Sequence, residues 1–507
     1  MKTTFFLLVC FLVLAIPRIW QLGTLPLSLN RDEAALAYNA VLLAETGKDE
    51  WGRSWPLALQ SFGDFKLIGY PAVLAGLFSL VPANDFWVRL PAAVAGLSLP
   101  LLAFWFARLQ KMEKTSARLF ALLVLTAPVF FFFSRMAFEA MLGTSLFLTG
   151  LCFWLQFSQT NQVRFGIFSL LFFVLASLTY NTPLLLWLLL LPALPFFLNK
   201  KNRRPGIFLI LLSGVLIGGL FFSLRSVIGQ KTGITIFSDE TVWAEYVLYR
   251  SQFSEPFIFL VGNQFVFFIL QALERLLATF SWLFLVELGG THPWHALPDW
   301  GHIFAVEYWF GLLGIGRLLR DVIRRTRVRP ALFVLLLLVA SLLPAIITVD
   351  APHATRSLLF FFLFLFCTVL GFERVCQFMR HRYRKIITAL FVIVIGGSFA
   401  GYVQDYFTTH LAFEPGLSEV LNKQVRFDDT VAVIDGSGYQ YIIFSWYAQI
   451  TPETYFATVV RQLPDKIGFR YGERVGQFHF IANSQDRTSD ERILLEWSGS
   501  EWVITRY

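Results

Sequence analysis

Apolar runs of membrane-spanning length recur along most of the chain, separated by short basic links, and give way after Tyr402 to alternating apolar and polar positions. A hydrocarbon core of roughly 30 Å needs about 20 apolar residues per helix. Runs of that kind lie near 5–20, 86–107, 118–134, 140–157, 165–181, 183–198, 206–224, 304–319, 331–348, 357–375 and 385–402. The pattern predicts a multi-spanning α-helical membrane protein with about eleven transmembrane helices. The first run follows Lys2, and Ala15-Ile16-Pro17-Arg18 is a poor small-residue cleavage site, so the run reads as a retained helix. Two further apolar stretches are broken by polar or imino residues: 67–82 contains Pro71 and Pro82, and 257–288 contains Gln264, Gln271, Glu274 and Arg275. Both are expected to lie along the outer interface.

Threading the spans alternately places Arg108, Lys111, Lys114 and Arg118, then Lys200 to Arg204, Arg317 to Arg329 and Arg374 to Lys385 on one side. That side is cytoplasmic by the positive-inside rule. The N-terminus is then cytoplasmic in a multi-pass protein of the inner (plasma) membrane. The outer loops 22–85 and 225–303 and the segment 403–507 face away from the cytoplasm. The first of these loops carries Asp32, Glu33, Glu45, Asp49, Glu50 and Asp64.

Beyond Tyr402, Asp429–Asp435, Tyr439–Tyr447, Gly476–Ala482 and Trp502–Thr505 have strand-like lengths between Gly, Asp and Asn turns. The expected organisation is a transmembrane domain over 1–402 and a small extracytoplasmic α/β or mostly β domain over 403–507.

Composition agrees with the membrane class: 56% of the 507 residues are hydrophobic and only 15% charged, more apolar surface than a soluble core hides. The net charge of +8 sits in the short links and reports topology, so no nucleic-acid partner is expected. Cys10, Cys152, Cys367 and Cys376 fall in or beside apolar runs without metal-ligand spacing.

Candidate chemistry gathers at the outer ends of the spans. Asn30-Arg31-Asp32-Glu33 precedes a helical pattern through Tyr38 and Asn39. The carboxylates there suit either a helix cap or a general base at the water–lipid boundary. Asp350-Ala351-Pro352-His353-Ala354-Thr355-Arg356 would put His353 and Arg356 on one face, as a phosphate clamp or as interfacial residues that snorkel. Arg135 and Glu139 have i, i+4 spacing, and Lys66, Arg89, Tyr180 and Asn181 face the same compartment. Ionisable groups beside a membrane are costly unless used or paired. The segment 289–302 holds three of the seven histidines, but its Pro and Gly residues make an irregular loop, better suited to stacking on a sugar or covering a cavity than to a metal.

The acid pair in the first outer loop, Phe65-Lys66 with Tyr70-Pro71, and Asp85-Phe86-Trp87-Val88-Arg89-Leu90-Pro91-Ala92-Ala93-Val94-Ala95-Gly96 together resemble the GT-C superfamily of polyprenyl-phosphate-sugar glycosyltransferases. Within it the likeness is to the protein O-mannosyltransferase and lipid A aminoarabinose transferase branch. It covers roughly residues 1–225 and returns at Pro352–Arg356. The resemblance implies inverting transfer of a sugar from a polyprenyl-phosphate-linked donor to an acceptor hydroxyl of a protein, lipid or envelope glycan on the outer face. It gives Asp32 the general-base role and Glu33 a supporting one. It makes His353 and Arg356, with Lys66 and Arg89, candidates for holding the lipid phosphate. Tyr38, Arg135, Glu139, Tyr180 and Asn181 are the candidate substrate-binding residues. Fixed cations would stabilise the departing phosphate, and the sequence offers no metal-ligand set, although it leaves a divalent metal open. Residues 403–507 show no substrate motif. A transporter of lipid-linked saccharide predicts charges deep within spans, whereas the polar groups here gather on one face. An envelope scaffold predicts that replacing Asp32 is silent.

Overall fold

The computed structural model describes residues 11–507 except 63, 291, 293, 410, 427, 428 and 466–468. The molecule is mostly helical. Among the described residues seven helices are long and apolar enough to cross a membrane: Asp85–Leu109, Glu139–Thr160, Arg203–Ser223, Gln264–Glu287, Val328–Ile346, Thr355–Gln377 and Arg382–Thr408. An eighth is added if Lys114–Thr126 and Pro128–Ser134, bent by 54°, form one span. The bend falls at Pro128, which has no N–H to continue the ladder.

The difference from about eleven spans has local causes. Residues 165–198, which the pattern divides into two spans, form the shorter helices Val163–Ser177 and Asn181–Leu190. The 304–319 run becomes Ala305–Ile323, which carries Glu307, Arg317, Arg320 and Asp321. Conversely, the stretch expected at the interface contains Gln264–Glu287, which meets the length and hydropathy of a span. Of the first run, residues 5–10 lie outside the described residues, and the rest is helical before a 3₁₀ turn at Ile16–Arg18.

The chain divides into two compact units, one of residues 1–17, 95–133 and 140–405, the other of 18–94, 134–139 and 406–507. At the centre of the first is Leu358–Gln377, whose residues Leu358–Phe372 are all buried. A helix apolar on every face is stable only when surrounded. Phe106 and Phe120 pack edge-on against Phe362 at 5.8 and 5.0 Å between ring centroids.

Ala305–Ile323 crosses this central helix backbone to backbone. A Cβ at Gly314 would stand 1.8 Å from the Cys367 carbonyl oxygen, and one at Gly371 would stand 2.0 Å from that of Phe310. Small residues allow such an approach, and Thr368 secures it by donating to the Glu307 carbonyl at 3.0 Å. Gly314→Leu is expected to separate the pair and destabilise the unit by at least ~1–3 kcal/mol, the usual cost of overpacking. Thermal unfolding in detergent checks this, with Gly316→Leu, which meets nothing within 4 Å, as the neutral comparison.

The second unit is built on the helix Arg31–Thr46, the hairpin β1 (Ala58–Ser61)–β2 (Asp64–Leu67) and a six-stranded sheet. The sheet comprises β3 (Val431–Ile434), β4 (Val460–Arg461), β5 (Gly472–Val475), β6 (Phe478–Ile481), β7 (Ile493–Trp497) and β8 (Trp502–Arg506), in the order β4-β5-β6-β3-β7-β8. β3 is parallel to both β6 and β7, and the outer pairs are antiparallel. Tyr439–Tyr447, expected as a strand, is corrected to the helix Gln440–Tyr447. Its residues 440–446 are all buried, so no period of two or of 3.6 can be read from them. The helical signal lies before it, where Asp435 accepts from the amides of Ser437, Gly438 and Gln440.

Buried Glu50 ties the N-terminal loop to this sheet domain. It accepts from the Phe62 amide and from the hydroxyls of Tyr441 and Tyr455, with Arg461 at 3.5 Å.

Candidate active site

The helix Arg31–Thr46 starts with a reciprocal cap. Asn30 Oδ1 accepts from the amides of Asp32 and Glu33 at 2.9 and 3.0 Å, and Glu33 Oε2 accepts from the Asn30 amide at 3.2 Å. Asn30 is therefore the capping residue, and the Asp32 carboxylate takes no part in the cap. Instead it accepts from Lys66 Nζ at 2.8 Å.

Lys66 is placed by β2, with Asp64 two residues earlier on the same face of the strand at 3.6 Å from its ammonium. The Lys66 side chain is 6% exposed and that of Asp32 is 29% exposed. Burial alone would lower the Lys66 pKa, but the carboxylates of Asp32, Asp64 and Glu139 outweigh it and hold the ammonium above the usual lysine range. Lys66 therefore stays charged at physiological pH. Half-buried Glu139 belongs to this cluster, and Asp64 is a member that reading the sequence did not single out.

Glu33, expected to support Asp32, and Arg89, expected at the lipid phosphate, form a buried ion pair. Arg89 Nε donates to Glu33 Oε1 at 2.9 Å and Nη2 to Oε2 at 3.2 Å. The guanidinium also donates to the carbonyls of Leu22, Pro26 and Ser28. Glu33 additionally accepts from the Ala137 amide at 2.7 Å. Both residues are fully buried, and the guanidinium is consumed by internal partners, which leaves no fork for a phosphate. Arg135, a candidate substrate-binding residue, is likewise engaged by backbone carbonyls. It is buried, donates to the carbonyls of Trp20, Gln21 and Leu25, and lies 5.0 Å from the Tyr406 ring centroid.

Tyr38 is also on the capped helix, about 240° round from Asp32 at six residues' separation. Its hydroxyl donates to the Ile450 carbonyl at 2.9 Å, and its ring wall borders a cavity away from Lys66.

In the other unit, Tyr180 Oη lies 3.2 Å from Thr355 Oγ1, which lies 3.1 Å from His353 Nδ1. His353 Nε2 is 3.4 Å from Asp350, which also pairs with Arg356. Arg356 Nη1 further donates to Thr348 Oγ1 at 2.7 Å. His353 and Arg356 thus meet through Asp350, not as helical neighbours, because Thr355–Ser357 is only a 3₁₀ turn. Asn181 opens the following helix, Asn181–Leu190.

The 289–302 loop contributes His295, whose ring centroid lies 4.6 Å from that of His353, and His292, stacked on His295 at 4.3 Å. Burial pushes the His295 and His353 imidazoles below the usual histidine range, and Arg356 lowers His353 further. Both are neutral at physiological pH, whereas Arg356 beside them is a cation. Thr291 and Pro293 lie outside the described residues. Among the described residues no three His, Cys, Asp or Glu side chains are grouped to hold a metal ion.

No protein-family model and no curated protein matches the chain. Solved structures do. ArnT from Cupriavidus metallidurans in the apo state is 12% identical, with a TM-score of 0.55 over 89% of this chain and 85% of that one. The same protein bound to undecaprenyl phosphate gives 0.51 at 12% identity, over 87% and 84%. The apo oligosaccharyltransferase of Archaeoglobus fulgidus gives 0.52 at 12% identity, over 87% of this chain and 64% of that one. These neighbours are glycosyltransferases of the GT-C superfamily, and the fold of this chain is the GT-C membrane fold.

Proposed function

We propose that this protein is a membrane glycosyltransferase that moves a sugar, with inversion, from a polyprenyl-phosphate-linked donor to an acceptor hydroxyl at the extracytoplasmic face of the inner membrane. The observation that carries the reading is the Asp32–Lys66 pair: an accessible carboxylate, excluded from the cap that precedes it and 2.8 Å from the ammonium of a buried lysine. Asp32 takes the proton of the acceptor hydroxyl as its oxygen attacks the anomeric carbon. The bond from that carbon to phosphate breaks, and polyprenyl phosphate leaves with its electron pair. Lys66 positions the base and balances the surrounding carboxylates.

Arg356, with the Tyr180–Thr355–His353 chain beside it, is the proposed holder of the donor phosphate. Its Asp350 partner orients the guanidinium, and charge-assisted bonds to phosphate are strong in a water-poor site. The GT-C fold and the undecaprenyl phosphate bound in one ArnT structure support a lipid-linked donor.

Arg356→Ala is expected to raise the donor KM by about 10–100-fold, equivalent to losing ~1.5–3 kcal/mol of charged hydrogen bonding. Arg356→Lys should recover part of the loss, since it restores charge without the fork. Initial rates of transfer from radiolabelled polyprenyl-phosphate sugars, at matched folded abundance, test both. An unchanged donor KM in Arg356→Ala would remove the clamp.

A further inference from the structure

The unit that carries Asp32 also contains two cavities that share a wall, and among the described residues none that lines either is a member of the Asp32–Lys66 cluster. The larger, about 790 Å³, lies along the Tyr38 and Glu45 side of the capped helix. Asn84, Asp85, Trp446 and Tyr447 are among its other lining residues. The smaller, about 490 Å³, is bordered by Asn422, Arg426, Thr454 and Gln477. Gln449, Ile450 and Thr451 border both, so one three-residue segment is common to the two.

The chemistry of the walls narrows the ligand. Hydroxyl and carboxamide side chains predominate among the polar groups, interleaved with aromatic rings. The rings are held in fixed orientations: Trp446 Nε1 donates to Asp85 Oδ1 at 2.9 Å and the Tyr447 hydroxyl to Oδ2 at 3.0 Å. Asp85 is thereby engaged by both rings. Among the described residues, Glu45 is the other carboxylate of the larger cavity, and no Lys or Arg lines it. Arg426 alone, among the described residues, brings a cation to the smaller one. Such a lining gives little to a phosphate or an acidic polymer. It suits a chain of neutral hydroxyl-bearing units, whose C–H faces pack on aromatic rings and whose hydroxyls pair with amides and hydroxyls. A peptide bound by strand addition would need an open sheet edge, and neither edge strand, β4 nor β8, lines the cavities.

We propose that this double cavity is a binding groove for a neutral oligosaccharide chain, separate from the transfer chemistry assigned to Asp32. The groove engages several consecutive sugar units, with the Gln449–Thr451 segment between them. Because binding is read without donor lipid, its outcome does not depend on whether the protein transfers sugar.

The test uses the full chain in nanodiscs and calorimetric titration with linear neutral hexasaccharides of glucose, mannose and N-acetylglucosamine, with hexagalacturonate as the acidic comparison. At least one neutral chain is expected to bind, more tightly than its disaccharide and at least tenfold more tightly than the acidic chain. Asn84→Trp and Asn422→Trp, exposed positions on the two cavities, should each weaken binding at least tenfold by filling the groove. Hydroxyl-radical footprinting of the unaltered protein gives a reading that needs no variant: saccharide should protect Asn84–Phe86 and Gln449–Thr451. Failure of all neutral chains to bind at 10 mM, equal or tighter binding of the acidic chain, or binding that leaves both segments unprotected would each overturn the proposal.

Discussion

Asp32→Asn is expected to lower sugar transfer by about 10²–10⁴-fold, the span that positioned general bases contribute, in a protein that folds as before. The substitution keeps shape and leaves an amide oxygen to accept from Lys66, but an amide cannot take the acceptor proton at neutral pH. The helix start is untouched, because Asn30 and Glu33 make the cap without Asp32. The loss should therefore fall on kcat, with the donor KM nearly constant and the thermal midpoint moving little. Asp32→Glu should keep some activity, since it retains the base and misplaces it. Initial rates at saturating donor and acceptor decide the matter. A fall of less than threefold would reduce Asp32 to an ion-pair partner of Lys66.

Arg89→Ala is expected to cost the protein its fold. Removing one partner of a buried pair typically costs ~3–5 kcal/mol, because the remaining charge is left uncompensated. Here Glu33 would stay buried, and the carbonyls of Leu22, Pro26 and Ser28 would lose their common donor. Arg89→Lys should rescue little, since an ammonium has three donors and no planar fork to serve Glu33 and three carbonyls together. Yield of monodisperse protein and thermal unfolding in detergent measure the effect. An Arg89→Ala protein of ordinary stability with only a raised donor KM would restore Arg89 to the phosphate.

These two residues also mark what the sequence can disclose. A polar segment before a helical pattern announces a helix start, so Asn30 to Glu33 is visible as a capped acid pair. Which residue caps is not visible, because Asn30 and Asp32 are both good caps. The partners of the two carboxylates come from far along the chain, Lys66 at 34 residues' separation and Arg89 at 56. A single sequence carries no signal for such pairings. The segment Leu358–Phe372, apolar but for Thr368, declares a central helix through its composition. Span counting fails where apolar length and helix length part: Pro128 bends one run, and residues 163–190 fold as two short helices. Gln440–Tyr447 misleads because β-branched and aromatic residues buried on all sides suit a strand as well as a helix. His353 and Arg356 are legible as a motif, yet that Asp350 joins them and that His295 packs beside them emerge only from folded geometry.

The most direct measurement is the fate of a labelled sugar in liposomes holding the purified protein, a radiolabelled polyprenyl-phosphate sugar and an extract of envelope acceptors. The account predicts that label leaves the polyprenyl lipid and becomes covalently attached to acceptor, with unlabelled polyprenyl phosphate released in equal amount, and that Asp32→Asn stops this. Label that stays on the polyprenyl lipid and only changes leaflet, at the same rate in Asp32→Asn, would contradict it and make the protein a transporter.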